Sequence, residues 1–125
     1  MQLALEHSGD VRILRVKEAK LTYPTLSAFF AEVRQLVEAG TRKLVIDLGA
    51  VGYIDSASIG CLMDIRRLLQ EKGGALRLAA LQPRVETMLS MTGVNKIIDI
   101  HRAEEAAVAA FAGAAAGPET GKGDA

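Results

Sequence analysis

Ser56 and Ser58 stand where the chain passes from an apparent strand into a helix, and a hydroxyl there can serve several kinds of chemistry. Both lie in residues 53–60, YIDSASIG, shortly after the apolar run KLVIDL at residues 43–48. The apolar pattern predicts a helix over residues 59–72. The first N–H groups of a helix have no partner within it, and the helix dipole favours negative charge there. The position therefore suits a capping hydroxyl or a phosphate group, and the two uses are compatible.

An activated serine is a different interpretation of Ser56, with His7 or His101 as the base. The sequence lacks the Gly-x-Ser-x-Gly elbow of many hydrolases, and both histidines are expected to be ordinary surface residues. The histidines and Cys61 do not have the close spacing of zinc ligands, and no glycine-rich nucleotide loop is present. The sequence therefore predicts a protein that is not an enzyme and that uses no metal or cofactor.

The amino-acid composition limits which kinds of protein this sequence can encode. The chain has 125 residues, of which 50% are hydrophobic, which suits one packed domain. Fifteen basic and fifteen acidic residues cancel, and aromatic residues are few, so nucleic-acid binding is not expected. The single cysteine, Cys61, allows no intrachain disulfide. No secretory signal is apparent, and no apolar run reaches the roughly 20 residues of a membrane helix. We expect a soluble, cytoplasmic protein without membrane insertion.

The elements that must position the two serines alternate along the chain. Their pattern predicts a small α/β fold, with a mixed sheet of four or five strands and about four helices. Strands are expected at residues 3–7, 11–16, 44–48, 75–80 and 97–100, the first two forming a hairpin. Helices are expected from an N-cap at Thr25 to Ala39, over residues 59–72, from Pro83 to Gly93, and from Ala103 onward. The predicted domain spans residues 1–112, and residues 113–125 are expected to form a disordered tail.

Residues 53–60, with the strand before them, resemble the signature of STAS domains, and more narrowly that of bacterial anti-sigma-factor antagonists. That signature is a hydrophobic strand and a loop ending in Asp-Ser, followed by a small residue, Gly, an aliphatic residue and Gly. The likeness continues through residues 72–74 and 85–98 and covers about residues 3–112. Two features depart from the pattern. Ser58 stands where the family usually has Gly, and residues 18–22, EAKLT, replace a Gly-x-Leu-Asp stretch, with Thr22 near the place of its aspartate.

The resemblance implies a regulatory protein that is switched by phosphorylation. In this family the serine after the aspartate, here Ser56, is phosphorylated by the partner, an anti-sigma factor that is itself a serine kinase. The unphosphorylated antagonist binds that partner and frees the sigma factor, and a serine phosphatase resets the system. The partner-binding surface is expected to comprise Asp55, Ser56, Ala57, Ser58, Thr22 and Tyr53. The alternatives are an unphosphorylated STAS subunit of a lipid-transport or signalling assembly and, in another class, a serine hydrolase.

Overall fold

The computed structural model describes residues 1–114, which form a five-stranded mixed sheet, a separate two-stranded pair and four α-helices. This architecture confirms the predicted fold class. The elements in chain order are β1 (Leu3–Ser8), β2 (Val11–Val16), β3 (Lys20–Leu21), α1 (Tyr23–Glu38), β4 (Lys43–Asp47), β5 (Tyr53–Ile54), α2 (Ser56–Glu71), β6 (Ala75–Ala79), α3 (Pro83–Met91), β7 (Asp99–His101) and α4 (Glu104–Ala114).

The large sheet has the strand order β1-β2-β4-β6-β7. β1 and β2 form the expected antiparallel hairpin, turned at Gly9, whose φ of 62° suits glycine. β2, β4, β6 and β7 are parallel, so their carboxyl ends share one edge of the sheet. The chain reaches the start of α2 from the end of β4, so Ser56 lies at that edge.

The two faces of the sheet are covered unequally. Alternate strand residues such as Leu14, Ile46 and Leu78 pack in the main core, together with α1, α2 and α3. Of the described helices, α4 alone covers the opposite face, and its Ala107 and Phe111 join a smaller apolar cluster. This arrangement places α2 and α4 on opposite sides of the sheet.

Charged side chains also hold α4 against the sheet, because the helix contributes few large apolar residues to that contact. The guanidinium of Arg15 donates two hydrogen bonds, of 2.6 and 2.7 Å, to the Glu104 carboxylate at the start of the helix. Arg77 lies 4.8 Å from the ring centroid of Phe111 and forms a 2.7 Å ion pair with Asp99. The helix is therefore held to the sheet at both its first turn and its last.

Several element boundaries differ from the sequence-based expectation. α1 follows Thr22 rather than Thr25, because Pro24 fits the first turn of a helix, where its missing N–H is not needed. α2 begins at Ser56, three residues earlier than predicted, because Asp55 caps it. β7 is Asp99–His101 rather than residues 97–100, since a short 3-10 turn at Val94–Lys96 precedes it and Ile98 enters the core.

Of the predicted C-terminal tail, residues 113–125, only residues 113 and 114 lie in the described part of the chain. α4 continues to Ala114, so residues 113 and 114 are helical rather than part of a tail. Residues 115–125 lie outside the described part of the chain.

We expect Asp47→Asn to stabilise the protein at neutral pH by about 1 kcal/mol. Burial, and then the neighbouring Glu104 carboxylate, raise the pKa of Asp47 to about 6. The folded state therefore holds this proton more tightly than the unfolded chain does, and the associated stability is lost as the pH rises through about 6. The expected gain is smaller than the full pKa difference implies, because Asp47 is only partly buried. Asparagine keeps the oxygen that accepts the 2.7 Å bond from the Gly49 N–H.

The measurement is urea unfolding of the wild type and of Asp47→Asn at several pH values between 4.5 and 8. The stability difference between the two proteins should grow as the pH rises from 4.5 to about 6 and stay constant above that pH. Glu105→Gln, at the exposed neighbour of Glu104, serves as the control for loss of a negative charge. Parallel pH profiles for Asp47→Asn and the wild type would contradict the assignment of this titration to Asp47.

Candidate functional site

Two short strands place the starts of two helices side by side. β3 pairs in parallel with β5, in the register Leu21 to Ile54, and the Gly52 N–H donates a 2.8 Å bond to the Ala19 carbonyl nearby. Each strand is followed by one residue and then a helix: Thr22 precedes α1, and Asp55 precedes α2. The unpaired N–H groups of both helices therefore converge at this edge of the molecule.

Asp55 accepts hydrogen bonds from the starts of both helices. Its Oδ1 accepts a 2.9 Å bond from the Ser58 N–H in the first turn of α2, and its Oδ2 accepts a 2.9 Å bond from the Tyr23 N–H of α1. Thr22, at the corresponding N-cap position of α1, makes no side-chain capping bond. The hydroxyl of Ser58, followed by these backbone N–H groups, lowers the pKa of Asp55 below its usual range. The carboxylate is therefore ionised at neutral pH and joins the two helices.

Ser56 is the first residue of α2, and its side chain is exposed to solvent. Within residues 1–114 its hydroxyl makes no hydrogen bond. The interpretation of Ser56 as the capping residue is therefore wrong, because the carboxylate of Asp55 performs that role. The Ser56 hydroxyl is left accessible at the positive end of a helix, where a phosphate group can be accommodated.

Ser58 differs from the expectation that it contacts a partner. Its side chain has 0% exposure, and its Oγ lies against the Leu21 carbonyl oxygen and 2.6 Å from Asp55 Oδ1. The helix begins three residues earlier than predicted, and this turns Ser58 inward, toward the segment between β3 and α1. Ser58 therefore cannot offer its hydroxyl to another protein in this conformation.

The other expected surface residues surround Ser56. Ala57 and Thr22 are half-buried, whereas Tyr53 is 41% exposed and Tyr23, on the α1 side, is 73% exposed. Beside them runs a groove of about 450 Å³ between α1 and α2, lined by Tyr23, Pro24, Leu26, Ser27, Phe30, Ala57, Cys61 and Asp64. Sequence reasoning missed this groove, since Phe30 belongs to the apolar stripe of α1 and such a stripe by itself predicts only packing against the core.

Residues 1–114 do not contain the arrangement needed for a serine hydrolase. His101 is only 1% exposed, so its prediction as a surface residue is wrong; it lies 3.2 Å from Arg77, on the face of the sheet covered by α4. His7 is exposed on the outermost strand, β1. Neither histidine is placed to accept a proton from Ser56. Burial raises the pKa of the Cys61 thiol to about 11, which keeps it protonated and unreactive.

No group of three His, Cys, Asp or Glu side chains in residues 1–114 is arranged to hold a metal ion. None of the helices in that part of the chain is both long and apolar enough to cross a membrane.

The fold and this site define a STAS domain. The sequence model of the STAS domain family matches residues 2–107, and the chain belongs to that family. Its relatives include BtrV of Bordetella bronchiseptica, named as an anti-sigma factor antagonist, which is 35% identical over 81 residues, or 65% of this chain and 70% of BtrV. The anti-sigma F factor antagonist of Paenibacillus polymyxa is 25% identical over 102 residues, or 81% of this chain and 86% of that protein.

A solved structure agrees with these sequence relationships. The crystal structure of TM1081 from Thermotoga maritima, described as an anti-sigma factor antagonist, superposes with a TM-score of 0.77 at 27% identity. The match covers 85% of this chain and 91% of TM1081. The relatives are thus named as antagonists of anti-sigma factors and not as enzymes.

Proposed function

We propose that this chain is a cytoplasmic anti-sigma factor antagonist that is switched by phosphorylation of Ser56. The unphosphorylated form binds an anti-sigma factor that is a serine kinase, and phosphorylation of Ser56 by that partner ends the complex. A serine phosphatase restores the binding form. The observation that carries the proposal is the exposed Ser56 hydroxyl, which is released from capping because Asp55 supplies the cap.

The surroundings of Ser56 support a switch that acts on binding and leaves the fold intact. A phosphate adds about −1.5 to −2 charge at neutral pH. At the start of α2 this charge is favoured by the helix dipole, so the free domain tolerates it. Within an interface the same charge must be desolvated, which weakens a complex unless the partner supplies compensating groups.

The groove beside Ser56 supports a protein partner for this surface. Exposed Tyr23 and Tyr53 and the apolar lining of the groove resemble the centres of protein interfaces, which are rich in aromatic residues. The proposed partner surface therefore extends from Asp55, Ser56 and Ala57 to Thr22, Tyr23 and Tyr53.

The direct test is the intact mass of the protein purified from its own cells with phosphatases blocked, followed by fragment mapping. The expected result is one phosphoryl group, located on Ser56 and absent from Ser56→Ala. Ser90→Ala, at an exposed serine of α3, should keep the modification. An unmodified Ser56 under every growth condition would contradict the proposal and favour an unphosphorylated STAS subunit of a larger assembly.

A further inference from the structure

Ser58 belongs to a closed set of hydrogen bonds between the two helix starts. Its hydroxyl lies between two acceptors, the Leu21 carbonyl on one side and Asp55 Oδ1, at 2.6 Å, on the other, and shares its single proton between them. The second oxygen of Asp55 holds the Tyr23 N–H at 2.9 Å. The segment from Leu21 to Tyr23 is thus connected to the first turn of α2 both through the Ser58 hydroxyl and through Asp55.

The side chain of Leu21 is fully buried in the main core, but Thr22 and Tyr23 have little other support. β3 contains only two residues, and its pairing with β5 ends at Leu21. Thr22 makes no capping bond with its side chain, and Tyr23 is largely exposed. A two-residue strand with one buried side chain does not by itself hold the more exposed residues after it rigidly. The position of Thr22 and Tyr23 relative to Ser56 therefore depends on the bonds to Ser58 and Asp55.

Packing alone does not explain why residue 58, which is buried in the first turn of α2, is a serine. Serine is a weaker helix former than alanine, and a buried hydroxyl is costly unless it is hydrogen-bonded. Alanine would keep the Cβ of Ser58 and lose only the contacts to Leu21 and Asp55. What the hydroxyl adds at this position is therefore the connection between the two helix starts.

We propose that Ser58 is a positioning residue for the recognition of Ser56: its hydroxyl holds residues 21–23 against α2, so that the partner meets both helix starts as one rigid surface. This inference rests on the proposed function, because it assigns Ser58 a role in presenting that surface. Ser58 itself touches no partner, since it is fully buried. Without the hydroxyl, the partner must order Thr22 and Tyr23 during binding, and that ordering weakens recognition.

The first test needs no partner and compares Ser58→Ala with the wild type. Amide hydrogen exchange at Tyr23 should become at least about fivefold faster, because its acceptor Asp55 is less firmly held. An NMR titration should show the pKa of Asp55 rising, since the Ser58 hydroxyl is the main cause of its lowering. Ile13→Val, in the cluster on the opposite face of the sheet, lowers stability without altering this network and should change neither result.

The second test measures phosphorylation of Ser56 by the serine-kinase anti-sigma factor of the same organism. Ser58→Ala should lower kcat/KM by about tenfold, mainly through KM, because the serine itself is unchanged. Ser58→Gly, which also lacks the hydroxyl, should show the same defect, and Ile13→Val should not. Failure of the wild type to become phosphorylated would refute the proposed function, but the exchange and titration results would still decide whether Ser58 positions residues 21–23. Unchanged exchange at Tyr23, or an unchanged KM, would overturn the role of Ser58.

Discussion

Ser56→Asp is expected to weaken binding to the anti-sigma factor by about 100-fold or more while leaving the circular dichroism spectrum and the unfolding midpoint unchanged. The side chain is exposed in the free domain, so the new carboxylate stays hydrated there and lies at the favoured end of α2. In the complex it loses water at the centre of the proposed surface. A loss of about 3 kcal/mol, within the range for an unpaired charge at an interface, corresponds to the stated change in affinity.

Calorimetric titration of the purified anti-sigma factor with each variant checks this expectation. Ser56→Ala should bind with nearly the affinity of the unphosphorylated wild type and should not be released when ATP is added. Ser90→Asp introduces the same charge at an exposed position of α3, away from the two helix starts, and should bind normally. Equal affinities for Ser56→Asp and Ser56→Ala would show that charge at this position does not control the complex.

Gly74→Ala is expected to cause the largest loss of stability, about 2–4 kcal/mol, which is a large part of the total for a domain of this size. Gly74 lies between α2 and β6, where an added Cβ would stand 2.2 Å from the Arg42 carbonyl oxygen. That atom is backbone and accepts the 2.8 Å bond from the Ala75 N–H, so a side-chain rotation cannot relieve the clash. β6 or the segment before β4 must move, and both border the main core.

Thermal unfolding measures the effect, with an expected fall in the unfolding midpoint of about 10 °C or more. Gly60→Ala is the matched control, because Gly60 is an exposed residue in α2 and an added Cβ there meets no atom within 4 Å. That variant should gain about 0.5–1 kcal/mol from better helix propensity. Similar midpoints for Gly74→Ala and the wild type would show that the Arg42 carbonyl moves aside at little cost.

The sequence predicted the elements of this fold well because their apolar residues follow local periods. The alternation of β2 and the three-and-four spacing of α1 depend on which face each residue buries, and that information is present in the chain itself. Ser56 and Ser58 were also expected near the start of a helix, although that helix begins at Ser56 and not at residue 59. The resemblance to STAS domains, carried by residues 53–60, extended this local evidence to about residues 3–112.

What the sequence did not predict depends on contacts between distant residues. The bond from Tyr23 to Asp55 spans 32 positions, and no local pattern at Thr22 indicates that another residue caps α1. The pairing of β3 with β5 is also invisible, because two-residue strands have no period. Ser58 was expected at the surface because a serine near a helix start is commonly exposed. Its burial depends on the distant Leu21 carbonyl, which no local pattern indicates. The burial of His101 follows from α4, which covers that face of the sheet.

The direction of β1 has a practical consequence for anyone who attaches a label to this protein. Because β1 is antiparallel to its neighbour, with Leu3 opposite Val16, the N-terminus emerges at the edge of the sheet where Ser56 lies. α4 starts at that same edge, after β7, and runs back along the other face, so Ala114 lies toward the far edge. Ala114 is therefore an attachment point away from the edge where Ser56 lies, whereas a fluorophore or affinity handle joined at Met1 is attached at that edge.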